Sequence, residues 1–134
     1  MRTAATFRSS AFNTSEVKSY FINPCCFGDD LATWMMARLR AAGVQTNDQP
    51  RQEDFGWYFE FEVPAGKHCC VLGYREGDPE GQWRLWLERS RGFLGSILGM
   101  RKRNIDAAAV QAVQDILTKA LEIRELEWQE AASR

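Results

Sequence analysis

The stretch Trp57-Tyr58-Phe59-Glu60-Phe61-Glu62-Val63 constrains the fold more than any other part of the chain. Trp57, Phe59, Phe61 and Val63 alternate with Tyr58, Glu60 and Glu62. A period of two is the mark of a half-buried β-strand, because successive side chains point to opposite faces of a sheet. An aromatic-rich face of this kind needs a large apolar cover. The strand therefore requires partners beside it and a second layer over its apolar face.

Partners lie close by in sequence. Pro64-Ala65-Gly66-Lys67 reads as a short turn, and His68 through Tyr74 as the returning strand. Gly77-Asp78-Pro79-Glu80-Gly81 is a second turn, and Trp83-Arg84-Leu85-Trp86-Leu87-Glu88 a third strand. Connections this short join antiparallel strands only. Residues 3–9 offer a further strand at the start of the chain, 13–24 form a polar connector ending in Asn23-Pro24, and the polar, Pro50-containing stretch 45–55 reads as a loop.

The covering layer comes from two helices. Leu31, Met35, Leu39 and Ala42 recur at helical spacing with Trp34 alongside. Asp29 or Asp30 serves as the cap, Arg38 and Arg40 suit the negative end, and Gly43 is a natural stop, which predicts a helix over 29–42. Asp106 caps a second helix over 107–121, with Val110, Val113, Leu117 and Leu121 as its buried stripe. Residues 123–128 either extend this helix or form a last strand. The expected architecture is one α+β domain over 1–134. It has an antiparallel sheet with both helices packed on one face, in the order β-α-β-β-β-α, with a final strand if 123–128 is extended.

Composition narrows the function. A chain of 134 residues with 45% hydrophobic residues buries a core without metal or disulfide support. Lys plus Arg is 17 and Asp plus Glu is 18, so the basic excess of a nucleic-acid binder is missing and no nucleic-acid partner is expected. No apolar run is long enough for a membrane span, and no apolar leader follows Met1, so a cytoplasmic location is expected. The cysteines fall in two adjacent pairs, Cys25-Cys26 and Cys69-Cys70. That spacing fits zinc knuckles poorly, and reduced thiols with no metal and no cofactor are expected.

Candidate chemistry is sparse. His68, the one histidine, neighbours Cys69 and Cys70. Strand geometry sends His68 and Cys69 to opposite faces and separates His68 from Cys70, so a nucleophile–base pair is not expected and His68 reads as an exposed residue beside a turn. Asp29-Asp30 are paired carboxylates explained by helix capping, while Glu53-Asp54 enter a strand near Trp57 and leave room for a pocket. Gly28 lacks the glycine pattern of a nucleotide site. The most unusual segment is 91–103, in which Phe93, Leu94, Ile97 and Leu98 sit in a glycine-rich run closed by Arg101-Lys102-Arg103. Those residues form a candidate surface for a partner protein or for self-association, against the simpler reading of a connector packed on its own sheet.

Several stretches carry a resemblance. Phe7-Arg8-Ser9-Ser10-Ala11-Phe12, Asn23-Pro24, Phe27-Gly28, Asp30-Leu31-Ala32 with Trp34, Arg38, Leu39, Ala42 and Gly43, and Glu53-Asp54-Phe55-Gly56-Trp57 together resemble a group of small uncharacterised bacterial proteins. The resemblance spans most of the chain and implies a shared α+β fold with no established activity. Cys25-Cys26 and His68 fall outside its pattern.

Two functions are therefore expected to compete. One is a non-catalytic protein-interaction module, such as an adaptor, an immunity-type inhibitor or a small chaperone, binding through a sheet face or the 91–103 segment. The other is a small-molecule binder or enzyme with a pocket near Trp57, Trp83, Trp86 and the Glu53-Asp54 loop.

Overall fold

The computed structural model describes residues 1–22, 26–53, 56–77, 80–90 and 105–130. Asp54, Asp78 and Pro79 of the expected second turn, and Phe93, Leu94, Ile97, Leu98, Arg101, Lys102 and Arg103 lie outside the described residues. The elements run β1 (Arg2–Arg8), α1 (Asp29–Ala41), β2 (Gln45–Thr46), β3 (Arg51–Glu53), β4 (Gly56–Val63), β5 (Gly66–Arg75), β6 (Gln82–Arg89), α2 (Ala107–Lys119) and β7 (Arg124–Glu130). All strand pairs are antiparallel, in the spatial order β2-β4-β5-β6-β1-β7, and β3 joins the same edge of β4 as β2. The chain is an α+β fold built on one antiparallel sheet.

The β4 alternation sets the core. Trp57, Phe59, Phe61 and Val63 are buried with Leu72 and Cys70 of β5, Trp83, Leu85 and Leu87 of β6, and Ala5 and Phe7 of β1. Leu31, Met35, Met36 and Leu39 of α1 and Ala109, Val113, Ile116 and Leu117 of α2 complete the same cluster. Strand β5 is central enough to be buried on both sides. On the face away from the core, Cys69 lies between Glu60 and Glu88, and Val71 between Tyr58 and Trp86, and these flanking side chains leave Val71 4% exposed.

Several local expectations are revised. The 45–55 loop contains two short strands, because the edge of β4 offers backbone groups that Gln45–Thr46 and Arg51–Glu53 satisfy. Neither Asp29 nor Asp30 is the N-cap of α1. That position belongs to Gly28, whose φ of 138° lies where L side chains rarely go and where a Cβ would sit 2.7 Å from Leu72. The two aspartates anchor the connector instead. Asp30 Oδ2 accepts the Asn13 N–H at 2.7 Å, and Asp29 accepts the Tyr20 hydroxyl. Ala42 is exposed, and Met36 takes its place in the stripe. Helix α2 stops at Lys119 because Ala120 is extended (φ −85°, ψ 125°), so Leu121 leaves the stripe and stands 97% exposed. Residues 124–130 form a strand beside β1. Glu125 has φ 53° where the register shifts, and its carboxylate lies 3.1 Å from Arg8 Nε.

Candidate functional site: a cleft between the helices

An open cleft lies between the C-terminal half of α1 and the outward side of α2. Its placement follows from two local decisions in the chain. Gly43 (φ 88°) ends α1, and the Val44 N–H turns back to the Leu39 carbonyl at 2.9 Å, which feeds β2 onto β4. Asp106 starts α2 by accepting the Ala108 N–H at 2.9 Å. The cleft encloses about 600 Å³.

Leu39, Val44, Val63 and Ile116 make its apolar floor. Its walls are small side chains, Ala41 and Ala42 on α1 and Ala108 and Ala112 on α2. Small walls are what keep the space open, since larger side chains at these positions would close it. Charged groups mark the rim. Arg38 Cζ lies 4.6 Å from the centre of the Trp34 ring, and its guanidinium stands 3.6 Å from Glu122. Asp115 Oδ1 accepts from Gln111 Nε2 at 2.7 Å, and Lys119 closes the end of α2. No histidine, cysteine, serine or tyrosine is among the lining residues. The cleft thus combines an apolar floor with a polar rim.

The tryptophans and acids expected to share a pocket do not converge. Trp57 faces the core, donates its Nε1–H to the Cys26 carbonyl at 3.0 Å and meets Phe21 edge-on at 5.2 Å. Trp83 is wholly buried beside Tyr74 (4.9 Å) and Phe12 (6.0 Å). Trp86 sits on the opposite face, level with Val71 and Ala4. Glu53 is exposed at the end of an edge strand opposite Gly56. What Trp57 does border is a cleft of about 390 Å³ with Tyr20, Asp29, Arg40 and Pro50. There the hydrogen bond to the Asp29 carboxylate, with slight burial, pushes the Tyr20 hydroxyl up to about 12, which keeps it protonated and tied down.

The cysteines and the histidine are not a catalytic set. Burial raises the pKa of both Cys69 and Cys70, so they stay thiols and poor nucleophiles. Cys26, by contrast, is disulfide-bonded, which revises the expectation that every cysteine is reduced. That expectation came from compartment alone, which does not govern local pairing. His68 is not an exposed residue beside a turn. It is 0% exposed, and both ring nitrogens are engaged by backbone, Nδ1 with the Gly66 carbonyl at 3.1 Å and Nε2 with the Asp106 N–H at 3.0 Å. No group of three or more metal-ligating side chains occurs among the described residues, and no described helix is long and apolar enough to cross a membrane.

The cleft escaped the sequence reading because its walls come from residues far apart in the chain. A trace of it is visible in α2, where Ala108, Ala112 and Ile116 form a second apolar row beside Val113 and Leu117. An apolar arc this broad is more than a single core contact uses.

No family model matches the chain, and neither a curated protein nor a solved structure does.

Proposed function

We propose that this chain is a non-catalytic protein-interaction module whose docking surface is the cleft between α1 and α2. The observation that carries the proposal is the combination of an open apolar floor with an exposed apolar side chain nearby. The exposed Ala41, Ala42 and Ala108 and the half-buried Val44 and Ala112 border open space over the buried Leu39, Val63 and Ile116, and Leu121, two residues beyond the Lys119 rim, projects from the surface. The occupant is an apolar segment of another protein carrying a carboxylate toward the end of the cleft where Arg38 and Lys119 lie. Such a segment covers Val44 and the alanine walls and meets Lys119 beside the Arg38–Glu122 pair, the usual division between an apolar centre and a polar rim. The cytosol is the compartment that suits the composition.

The test compares the wild-type chain with Ala112→Arg in capture from the native cell. Arginine is a good helix former, so the change fills the cleft without breaking α2. A stoichiometric protein held by wild type and lost with Ala112→Arg supports the proposal. Equal capture by both would move binding to another surface. A second copy of this chain as the only captured species, or a co-purified small molecule in the cleft, would replace the stated occupant.

A further inference from the structure

We propose that His68 is an acid-sensitive latch that holds the head of α2 against the sheet and releases it when the imidazole is protonated. The ring lies on the core side of β5 and joins the central sheet to the first residues of the helix. A carbonyl oxygen only accepts, so the contact with Gly66 O makes Nδ1 the protonated nitrogen. Nε2 then carries the lone pair that receives the Asp106 N–H. Only the neutral Nδ1–H form satisfies both partners. A second proton on Nε2 would set two donors face to face and remove the acceptor from Asp106.

The loss reaches the helix because its first turn hangs on the same residue. The Asp106 carboxylate accepts the Ala108 N–H at 2.9 Å, and the Asp106 carbonyl accepts the Ala109 N–H at 3.0 Å and the Val110 N–H at 3.4 Å. Freeing Asp106 thus frees all three. The surroundings favour the neutral ring. Burial lowers its pKa most, the Gly66 carbonyl opposes this, Arg89 of β6 lowers it further, and the Asp106 carboxylate raises it. From β4, Phe61 presents an uncharged ring at 6.0 Å, tilted by 32°. The positive end of the α2 dipole also disfavours an imidazolium at this place. In the opened state the imidazole regains its ordinary pKa of about 6.5, and protonation there holds the latch open. The latch stands whether or not the cleft is occupied, although α2 is one wall of that cleft.

Amide hydrogen exchange across a pH series tests this, with each rate divided by the intrinsic rate at that pH. Protection of Asp106, Ala109 and Val110 should fall about tenfold for each pH unit from about 6.5 down to the native His68 pKa, and should stay well below that of Phe59, Leu72 and Leu85, which open only with the whole domain. His68→Gln, which cannot titrate but retains a carbonyl acceptor, should abolish the pH dependence. Asp106→Asn keeps a capping side chain and removes the negative charge that favours imidazolium in the closed state, so the loss of protection should begin at the same pH and continue to lower pH than in wild type. If His68→Gln does not fold, the wild-type and Asp106→Asn series still decide the matter. Constant protection of the α2 head across the His68 titration would overturn the latch. So would protection of the helix head equal to that of the sheet at every pH, which would mean that the two open only together and would make His68 a global stability residue and nothing more.

Discussion

The two sides of the helix pair carry different kinds of apolar residue. Facing the sheet, Leu31, Met35, Leu39, Val113 and Leu117 are large or branched and packed out of contact with water. Facing outward, Ala41, Ala42, Ala108 and Ala112 are small and border an open space. The inner side is where stability comes from, since burial of large side chains dominates folding. The outer side adds little to stability and leaves apolar surface uncovered, a combination that makes sense for contact with something else. A residue's apolar character alone does not reveal its role; its volume and the side of the helix it occupies do.

Breaking the inner side should have the largest effect. Phe59→Ala should cost about 3–5 kcal/mol in denaturant unfolding, the range for large aromatic truncations in cores. A loss below about 1 kcal/mol would mean that the β4 aromatics are not the foundation of the domain. Acid should act next in size. The native His68 pKa is depressed below the unfolded value of about 6.5. Its contribution is therefore fully present above about pH 6.5 and declines as pH falls toward the native pKa, by up to about 1.4 kcal/mol per unit. Thermal melts from pH 8 downward read this, and His68→Gln should flatten the His68-dependent part of the curve.

The far face of the sheet sharpens the contrast. Glu60 lies opposite Cys69, away from the core, and its carboxylate accepts from the Ser90 hydroxyl at 2.5 Å. Glu60→Ala should cost about 0.5 kcal/mol, the net worth of one partly exposed hydrogen bond. Equality between Phe59→Ala and Glu60→Ala would mean that β4 does not distinguish its faces. The smallest stability change belongs to the outer side of α2. Ala112→Arg should leave the unfolding midpoint within about 0.5 kcal/mol of wild type, as for a surface helix position. A large loss would instead make the cleft wall part of the core.

Where side chains alternate or repeat within a single element, the sequence is easy to read. The strands β4, β5 and β6, the turn between β4 and β5 and both helices follow from local period and punctuation. What depends on distant partners is hidden. The burial of His68 depends on Asp106, whose N–H it receives from 38 positions away in sequence. The edge strands β2 and β3 exist because β4 has a vacant edge, and the polar composition of 45–53 gives no hint of it. Leu121 fits a helical spacing, but the helix ends at Lys119, two residues before it. The expected tryptophan pocket fails for a related reason. Trp83 and Trp86 lie three residues apart in one strand, and that odd spacing puts them on opposite faces.

Methyl NMR on the protein with its captured partner tests the docking surface most directly. The methyl groups of Val44, Ala112 and Ile116 report on the cleft, and those of Ala4 and Val71 report on the far face of the sheet. Docking in the cleft predicts that the first group shifts or broadens on addition of the partner and that the second group stays in place. Perturbation of Ala4 and Val71 with the cleft methyls unchanged would contradict it and assign binding to the sheet.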